Sequence, residues 1–431
     1  MQNPFCHLLI CPFVIRRGIM VSPIAALDIG TTKTCALIGE VTDAGNVRIL
    51  GSGIAPSRGL RKGVVTDVKE TSLAIVSAVE QAERVSGLTM GAVYVGIAGA
   101  HIQATNSRGV AAIHSGRGVT QDDIDRALEA AEAIAVPTNR EIIHVIPRGF
   151  TLDGQDGVKD PLGMIGFRLE VEAHIVTGAA ASIQNVTKAV EGAGLKILDL
   201  VLEPIAAGDA VLTTAEKEMG VVLADIGGGT TDIAIFIDGS IWHTVILPTG
   251  GLHITNDLAV GLRTPFDAAE EMKLKYGHAD PNQVPDTDLI DVAAFGEEGR
   301  RTVARRDVAE IIGARVEEIC QLILTEIKRS GYDNLLPAGV VLCGGTAELV
   351  GIKAVARQVL DMPVRVGAPR DLEGFVDRVS SAAFATSIGL LRWGWTQQET
   401  QAVAKPPRGG SKKSNPLGGL FGWARGAILP G

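Results

Sequence analysis

Two short segments combine the residue types that contact phosphate groups and Mg²⁺. They are Asp28-Ile-Gly-Thr-Thr-Lys-Thr34 and, much later in the chain, Asp225-Ile-Gly-Gly-Gly-Thr-Thr-Asp232. A turn built on Gly brings backbone N–H groups against phosphate oxygens because no Cβ intervenes, and Thr hydroxyls add donors. Lys33 can neutralise charge, and Asp28 or Asp225 can hold the waters of a Mg²⁺ ion. One such segment also fits an ordinary hairpin, whereas two in matching contexts favour a phosphate site.

A further glycine cluster follows an apolar strand near the end of the chain. In Val340-Val-Leu-Cys-Gly-Gly-Thr346, the paired glycines Gly344 and Gly345 would let the backbone pass close to a flat base or a ribose. Another cluster, Pro248-Thr-Gly-Gly251, opens a predicted helix. The sequence lacks a Walker phosphate loop, which excludes a P-loop NTPase.

The elements around the two phosphate segments follow one plan. Each segment is preceded by an apolar strand and followed by a second one, at 35–41 and 233–237. Two halves with the same strand–turn–strand arrangement predict two similar lobes that face each other. The 431 residues are also long for a single core. The alternation of strands and helices predicts an α/β fold.

Residues 101–170 depart from this rhythm and are predicted to be an inserted α+β module. A strand-like stretch at 101–113 precedes a helix, 121–134, whose Ile124, Leu128 and Ile134 share one face and which Thr120 caps. Short strands are predicted at 141–145 and 150–152. Outside the module, strands are predicted at 92–98, 171–177 and 197–202, and helices at 66–86, 180–192 and 307–328.

Composition and charge narrow the class of protein. Hydrophobic residues make up 46% and charged residues 21%, as in a globular protein, and the net charge of −9 gives no case for nucleic acid. The 5 cysteines are dispersed, which fits a reducing cytosol. No run of about 20 apolar residues occurs, so no segment is predicted to cross a membrane. Residues 1–21 are predicted to be a disordered extension or a misassigned start.

The C-terminal end combines a linker with an amphipathic tail. Residues 395–415 are rich in polar residues, Pro and Gly, which predicts a flexible linker. In the tail, 416–431, an apolar side is bordered by an aromatic residue and a cation, a pattern typical of an interfacial membrane anchor. The glycines in the tail disfavour a helix in water, and a floppy tail or a peptide docked on the core is the alternative. The membrane candidates are Leu417, Leu420, Phe421, Trp423, Arg425 and Ile428.

The order of these motifs resembles the superfamily that includes actin, sugar kinases and heat-shock chaperone ATPases. Leu202-Glu-Pro-Ile-Ala-Ala-Gly208 and Ser380-Ser-Ala-Ala-Phe-Ala-Thr-Ser-Ile-Gly389 stand where that superfamily connects its two lobes. The resemblance implies an actin-like, ribonuclease-H-like, two-lobed ATPase fold. Only about 40 residues follow the last core element, which is too few for a chaperone, and no sugar-binding motif is evident.

Within that superfamily the sequence resembles FtsA, the bacterial cell-division family, over about 22–392 and the tail. Members of that family carry an inserted module called 1C. The stretch Lys159-Asp-Pro-Leu-Gly-Met-Ile-Gly-Phe-Arg168 is similar to the end of that module, and Leu60-Arg-Lys-Gly-Val-Val-Thr-Asp67 also resembles the family. MreB-type filament proteins lack an insertion of this size and position.

The resemblance implies specific roles in binding ATP and Mg²⁺. Phosphates would be held by the two glycine turns, ribose and adenine would be contacted by the residues near 270 and 345, and Glu203 would position a water. A second interpretation makes Glu203 a helix-capping residue before Pro204. The implied binding residues are Asp28, Gly30, Thr31, Thr32, Lys33, Gly227, Gly228, Gly229, Thr230, Thr231, Gly250, Gly251, Glu270, Lys273, Gly344, Gly345 and Thr346. The catalytic candidates are Glu203 and Asp225, and Mg²⁺ would be bound through waters near Asp28 and Asp225.

The same resemblance implies a division of the chain into subdomains. The expected parts are 22–100 and 171–218 (subdomain 1A), 101–170 (module 1C) and 219–394 (the second lobe, 2A and 2B, with a return to 1A). These are followed by the linker, 395–415, and the tail, 416–431.

An FtsA-like protein would bind ATP, self-associate, and anchor FtsZ to the cytoplasmic face of the inner membrane at the division site. It would help recruit later division proteins, and its ATPase activity would be weak or regulatory. The resemblance places the C-terminal peptide of FtsZ near Arg306 and Arg315. A solvated helix start is the alternative interpretation of the arginines that precede the predicted helix, Arg300, Arg301, Arg305 and Arg306. A PilM-like scaffold of pilus assembly is the alternative function, and a small-molecule kinase is a more distant one.

Overall fold

Strands and helices alternate along most of the chain. The computed structural model describes residues 14–16, 19–42, 45–113, 118–133, 136–293 and 300–404. The strands are β1 (Val14–Arg16), β2 (Ile19–Val21), β3 (Ile24–Ile29), β4 (Lys33–Val41), β5 (Val47–Pro56), β6 (Leu60–Arg61), β7 (Val64–Val65), β8 (Ala92–Ile97), β9 (Gln103–Ala112), β10 (Arg140–Leu152), β11 (Gln155–Val158), β12 (Arg168–Ala179), β13 (Lys196–Leu202), β14 (Val221–Ile226), β15 (Thr231–Ile237), β16 (Ser240–Leu247), β17 (Leu289–Ala293), β18 (Arg300–Ala304), β19 (Val340–Cys343), β20 (Val364–Val366) and β21 (Leu372–Gly374).

The helices cover the faces of the sheets. The α-helices are α1 (Val68–Ser86), α2 (Gln121–Glu132), α3 (Ala180–Gly192), α4 (Glu203–Val211), α5 (Thr214–Met219), α6 (Gly251–Gly261), α7 (Phe266–Tyr276), α8 (Arg305–Ser330), α9 (Ile352–Leu360) and α10 (Ala385–Ala404). Short 3₁₀ turns lie at Pro281–Gln283, Asp333–Leu335, Gly345–Glu348 and Ala382–Phe384.

The first phosphate segment is the turn of a hairpin at the centre of a six-stranded sheet. The strand order is β13-β8-β3-β4-β5-β21, and β3 pairs antiparallel with β4 so that Asp28 stands opposite Cys35. Apolar residues fill both faces of β3 and β4, since Leu27 packs toward α1 and α3 while Leu37 packs toward α4 and α10. Burial on both faces explains why these strands are almost continuously apolar.

The second phosphate segment repeats this arrangement in a five-stranded sheet. The order is β16-β15-β14-β19-β20, with β14 antiparallel to β15 and parallel to β19. Asp225 therefore lies between Asp232 on one side and Cys343 on the other. Helices α6, α8 and α9 cover one face, and α4 lies on the other, where it contacts β14 and β15. The two predicted hairpins are thus equivalent parts of two sheets.

The inserted module is a four-stranded antiparallel sheet, β11-β10-β12-β9, with α2 packed on it. Thr120 caps α2 as predicted, and the Asp123 side chain accepts from the Thr120 N–H in return. The described helix ends at Glu132, and Ile134 lies outside the described residues. The two short strands predicted at 141–145 and 150–152 are wrong: β10 is one strand, interrupted in register near 143 and 148. Bulges and Pro147 break its alternation, which disguised its length.

The module also contacts the second lobe. The Arg148 guanidinium lies 4.2 Å from the centre of the Trp242 ring, and its Nη2 donates to the Tyr332 hydroxyl at 3.3 Å. Nearby, His174 Nε2 is 2.9 Å from the Thr244 hydroxyl. These contacts join the middle of the module sheet to β16, the edge strand of the second sheet.

Both predicted ends need correction where the structure describes them. Part of 1–21 forms the antiparallel strand pair β1 and β2, since its apolar and β-branched residues suit strands. The predicted linker starts inside α10, which continues to Ala404. Thr396 and Thr400 hydroxyls donate to carbonyls four residues earlier, and Gln397 is buried, so these polar residues are accommodated in the helix.

Residues 405–431, with all membrane candidates, lie outside the described residues. No helix of the described part is long and apolar enough to cross a bilayer.

Candidate functional site

The two hairpin turns face each other across a cleft of about 400 Å³, a volume suited to a small molecule. The start of α4, helices α6 and α7 and the turn after β19 complete its walls. Most of the predicted binding residues line it: Asp28, Gly30, Thr31, Thr32, Lys33, Glu203, Asp225, Gly227, Gly228, Thr230, Gly251, Glu270, Lys273, Gly344, Gly345 and Thr346. The structure therefore brings together, in one cleft, residues that lie more than 300 positions apart in sequence.

The remaining three predicted residues do not line the cleft but pack against residues that do. Gly229 packs on the first hairpin, since a Cβ there would lie 2.6 Å from the Thr31 hydroxyl oxygen. Thr231 is buried and donates its hydroxyl to the carbonyl of Thr249 at 2.9 Å. A Cβ on Gly250 would lie 2.6 Å from the carbonyl oxygen of Gly227. These residues shape the second turn without lining the cleft.

Each hairpin turn is closed by a backbone hydrogen bond that leaves its tip pointing at the other. Gly30 N donates to the Lys33 carbonyl at 3.0 Å, and Gly227 N donates to the Thr230 carbonyl at 2.9 Å. A Cβ at Gly228 would lie 2.3 Å from Cγ2 of Thr32. Any larger residue at the second tip would therefore have to displace Thr32 of the first tip.

Four carboxylates converge at the bottom of the cleft. Burial raises the pKa of Asp28, and burial with the charge of Asp28 raises the pKa of Asp225 to about 6. The pKa values of Glu203 and Asp232 are raised well above the ordinary range, by burial first and by neighbouring carboxylates second. A cation bound beside these carboxylates would offset the desolvation and mutual repulsion that raise their pKa values.

Asp232 is a site residue that was not singled out from the sequence. It lies opposite Asp225 in the hairpin register and lines the cleft. Its Oδ1 is buried without a hydrogen-bond partner. The first hairpin has Cys35 at the equivalent position opposite Asp28, and this difference between the two segments was the only sign of Asp232 in the sequence. An unsatisfied buried carboxylate oxygen is a position where a bound water or cation would be accommodated.

The carboxylates fit a hydrated cation better than a directly bound one. Among the residues that the structure describes, no three His, Cys, Asp or Glu side chains are placed to bind a metal ion directly. Mg²⁺ usually keeps several of its waters and is held by few carboxylates. The residues present therefore fit a Mg²⁺ ion that is bound through water near Asp28 and Asp225.

Two hydroxyls at the start of α10 were also missed, although they lie within the predicted second inter-lobe connection. Ser387 Oγ donates to Asp28 Oδ2 at 2.7 Å, and Thr386 Oγ1 donates to Asp225 Oδ2 at 3.0 Å. The preceding turn holds Lys33, whose Nζ donates to the Ala383 carbonyl at 2.6 Å. The second connection thus contacts polar groups of both hairpins.

Glu203 is the first residue of α4 and lines the cleft. Leu202 is the N-cap, and no side chain caps this helix. The interpretation of Glu203 as a helix-capping residue therefore finds no support in the structure. Its side chain instead packs near Gly96, where a Cβ would lie 3.3 Å from Glu203 Cγ.

The far end of the cleft has a polar corner and an apolar wall. Lys273 Nζ donates to Glu270 Oε2 at 2.7 Å, to the Thr255 hydroxyl at 2.9 Å and to the Gly251 carbonyl at 3.2 Å. The Thr346 hydroxyl donates to the carbonyl of Gly227 at 2.9 Å. Gly344 has φ +84°, which favours glycine. The apolar lining, which was not predicted, comprises Leu252, Ile254, Leu274, Leu349 and Val350.

The two arginines predicted to contact a partner lie outside the cleft on α8. Arg306 pairs with Asp286 and lies 3.7 Å from Glu310. Arg315 is bound by both oxygens of Asp257, at 2.6 and 3.0 Å, and this carboxylate raises its pKa. Both guanidinium groups therefore already have carboxylate partners within the chain.

Two sheets, each with a glycine hairpin turned toward a shared cleft, define the actin-like class of folds. Comparison with solved structures agrees. The PilM–PilN type IV pilus biogenesis complex matches with a TM-score of 0.64 and 16% identity, covering 86% of this chain and 98% of the other. MreB5 of Spiroplasma citri bound to ADP matches with a TM-score of 0.52 and 13% identity, covering 89% and 99%. At these identities the likeness establishes the fold alone.

Sequence comparison identifies the family. A model described as "Cell division protein FtsA" matches residues 222–389, and one described as "SHS2 domain inserted in FTSA" matches residues 99–177. The cell division protein FtsA of Pseudomonas aeruginosa is 42% identical over 91% of this chain and 94% of its own length. FtsA of Neisseria meningitidis is 47% identical over 85% and 89%, and FtsA of Bacillus subtilis is 39% identical over 85% and 82%. The chain belongs to the FtsA family of cell division proteins, which confirms the resemblance inferred from its motifs.

Proposed function

We propose that this chain binds Mg·ATP in the cleft between its lobes and, in that state, serves as the membrane adaptor of FtsZ. The observation that carries the nucleotide part is the convergence of both glycine hairpins and four carboxylates, three of them buried, on one cleft. Glycine turns let phosphate oxygens approach the backbone closely, and the carboxylates suit the hydrated cation that accompanies a nucleoside triphosphate.

In this proposal, different groups of residues bind different parts of the nucleotide. The turns at 30–33 and 227–230 hold the phosphates, and Lys33 adds a positive charge. Asp28 and Asp225 accept hydrogen bonds from waters of the cation, which neutralises phosphate charge when it is bound. Glu270 and Lys273 hold the ribose and the adenine edge, while Gly344 and Gly345 leave room for the base against the apolar wall formed by Leu274, Leu349 and Val350.

Hydrolysis is expected to be slow or regulatory. A general base must be deprotonated to take a proton from water. Burial first, and neighbouring carboxylates second, raise the pKa of Glu203 and so disfavour its deprotonated form. ATP then acts mainly as a conformational ligand that favours closed lobes and contacts between subunits. Self-association would use the inserted module of one subunit and its neighbour.

Family membership, together with the charge and tail patterns, supports the adaptor role. The C-terminal peptide of FtsZ is acidic and would dock near Arg306 and Arg315 on α8. Residues 416–431 would hold the protein on the cytoplasmic face of the inner membrane, through an apolar side and cations that suit anionic lipid. Later division proteins would then be recruited to the same site.

Co-sedimentation of FtsZ with anionic liposomes tests this proposal. The full chain with ATP is compared with a chain ending at Ala404, which retains all of α10. FtsZ should sediment only with the full chain. Sedimentation of FtsZ with both versions would place the membrane contact outside the tail. Sedimentation with neither version would contradict the adaptor role but not the proposal that the cleft binds a nucleotide.

A further inference from the structure

The first turn of α10 joins the two lobes through two neighbouring hydroxyls. Ser387 reaches Asp28 of the first hairpin and Thr386 reaches Asp225 of the second, at 2.7 and 3.0 Å between oxygen atoms. Thr386 is 6% exposed and Ser387 1% exposed, so water does not compete for either bond. Consecutive residues of one helix therefore fix the carboxylates of two different sheets.

Each aspartate has a second oxygen near a glycine turn of the cleft. Asp28 Oδ1 lies 3.9 Å from the position of a Cβ on Gly30, and Asp225 Oδ1 lies 2.2 Å from that of a Cβ on Gly344. Because a hydroxyl holds Oδ2, the carboxylate cannot rotate freely, and the orientation of Oδ1 is fixed as well. The hydroxyls thus set the geometry of the oxygens beside the turns that line the cleft.

The helix that carries these hydroxyls is itself firmly seated. A Cβ on Gly389 would lie 1.7 Å from the carbonyl oxygen of Ala206 in α4, and one on Gly394 would lie 2.6 Å from ring atoms of Tyr94. Helix α4 begins at Glu203, so the same close packing fixes α10 relative to the third carboxylate of the cleft. The hydroxyl pair therefore has a defined position relative to Asp28, Asp225 and Glu203 together.

We propose that Thr386 and Ser387 are positioning residues that hold Asp28 and Asp225 in the relative geometry needed by one hydrated divalent cation. This inference rests on the proposed nucleotide function. In this proposal the start of α10 determines the affinity for the cation, whereas other residues contact the nucleotide. Groups that orient the direct ligands of a metal typically contribute tenfold to a hundredfold to its affinity, and the lower end of that range is expected here because the carboxylates act through bound water.

The test measures ATP binding by calorimetry at increasing Mg²⁺ concentration and again in EDTA. Thr386→Val keeps the shape and removes the hydroxyl, and Ser387→Ala is a smaller change in case the first variant folds poorly. Each should need roughly tenfold more Mg²⁺ for half-maximal ATP binding, with ATP affinity in EDTA unchanged. Thr386→Ser, which retains the hydroxyl, should behave as the unmodified protein.

A matched control lies on the same helix. Thr400 also donates its hydroxyl within the chain, to the carbonyl of Thr396 at 2.8 Å, but far from the cleft. Thr400→Val should leave the Mg²⁺ dependence unchanged. An unchanged Mg²⁺ dependence in Thr386→Val and Ser387→Ala would overturn the inference, as would an equal loss of affinity with and without Mg²⁺. Failure of the unmodified protein to bind ATP under any condition would overturn the proposed function and this inference with it.

Discussion

Thr32 of the first lobe and Gly228 of the second are in contact across the cleft. A Cβ at Gly228 would lie 2.3 Å from Thr32 Cγ2, 3.2 Å from its hydroxyl and 3.3 Å from its Cβ. Rotation of Thr32 alone cannot relieve all three contacts. The Thr32 methyl group therefore limits how closely the two lobes approach at the phosphate end. The observed approach is possible because Gly228 has no side chain.

Gly228→Ala should hold the two hairpins apart. The added methyl must displace Thr32 or the turn around it, and the phosphate-binding N–H groups of the two lobes then no longer converge. We expect ATP affinity to fall by about tenfold, because one charge-assisted hydrogen bond is worth about 1.5 kcal/mol or more. Calorimetry in the presence of Mg²⁺ measures this effect.

A second substitution provides the control for that experiment. Thr32→Ala removes both the methyl and the hydroxyl, so the double variant Gly228→Ala, Thr32→Ala should bind ATP about as well as Thr32→Ala alone. If the two substitutions weaken binding independently, the contact between the hairpins does not limit closure.

Arg148 should hold the inserted module on the second lobe. Its side chain is 9% exposed and stacks on Trp242, and such a desolvated cation–π contact contributes about 2 kcal/mol. Arg148→Met should raise amide hydrogen exchange in β10 and β16 and change the fluorescence of Trp242. Arg108→Met, an exposed position on the same module, is the matched control. Equal exchange in both variants would show that the module is held elsewhere.

The ion pair between Glu216 and Arg365 should make stability depend on pH. Two hydrogen bonds from Arg365, at 2.6 and 2.7 Å, together with those from Thr213, lower the pKa of Glu216 to about 2. A lowered folded-state pKa gives stability that is present above the ordinary value of 4.5 and is lost as the pH falls toward 2. The pair is partly exposed, so we expect about 1 kcal/mol.

Urea denaturation of Glu216→Gln against the unmodified protein measures this contribution. The difference in unfolding free energy should be largest above pH 5 and should shrink between pH 4.5 and pH 2. Glu218→Gln, which removes only an exposed pair with Lys159, should show little difference at any pH. If the difference in unfolding free energy between Glu216→Gln and the unmodified protein stays constant with pH, the ion pair is not its cause.

Arg306 should contribute more than Arg315 to binding an acidic FtsZ peptide. Arg306 is 37% exposed and its partner Asp286 is 75% exposed, so an incoming carboxylate can replace that partner at little cost. Arg315 is held by both oxygens of the half-buried Asp257. Fluorescence anisotropy with the labelled peptide should show a loss of about tenfold for Arg306→Ala and a smaller loss for Arg315→Ala. The opposite order would place the peptide nearer to α6.

The residues that the sequence revealed are those whose chemistry is local. Gly30 and Gly228 are visible because a phosphate turn needs glycine within a few residues of Asp and Thr. Asp232 and Thr386 were missed because their roles depend on pairing across a hairpin and on packing between lobes. The true length of β10 was hidden by its bulges, and the end of α10 by polar residues that the helix accommodates. Periodicity reports burial along one element, whereas these features depend on contacts between elements.

The central claim is that the cleft between the hairpins binds Mg·ATP, and calorimetry with paired lysine variants tests it most directly. Lys33→Met removes a positive charge that lines the cleft, and Lys353→Met removes one from α9, outside the cleft. We predict one ATP per chain, with affinity reduced roughly tenfold to a hundredfold by Lys33→Met and unchanged by Lys353→Met. Equal ATP binding by both variants and the unmodified protein, or no binding by any of them, would contradict the claim.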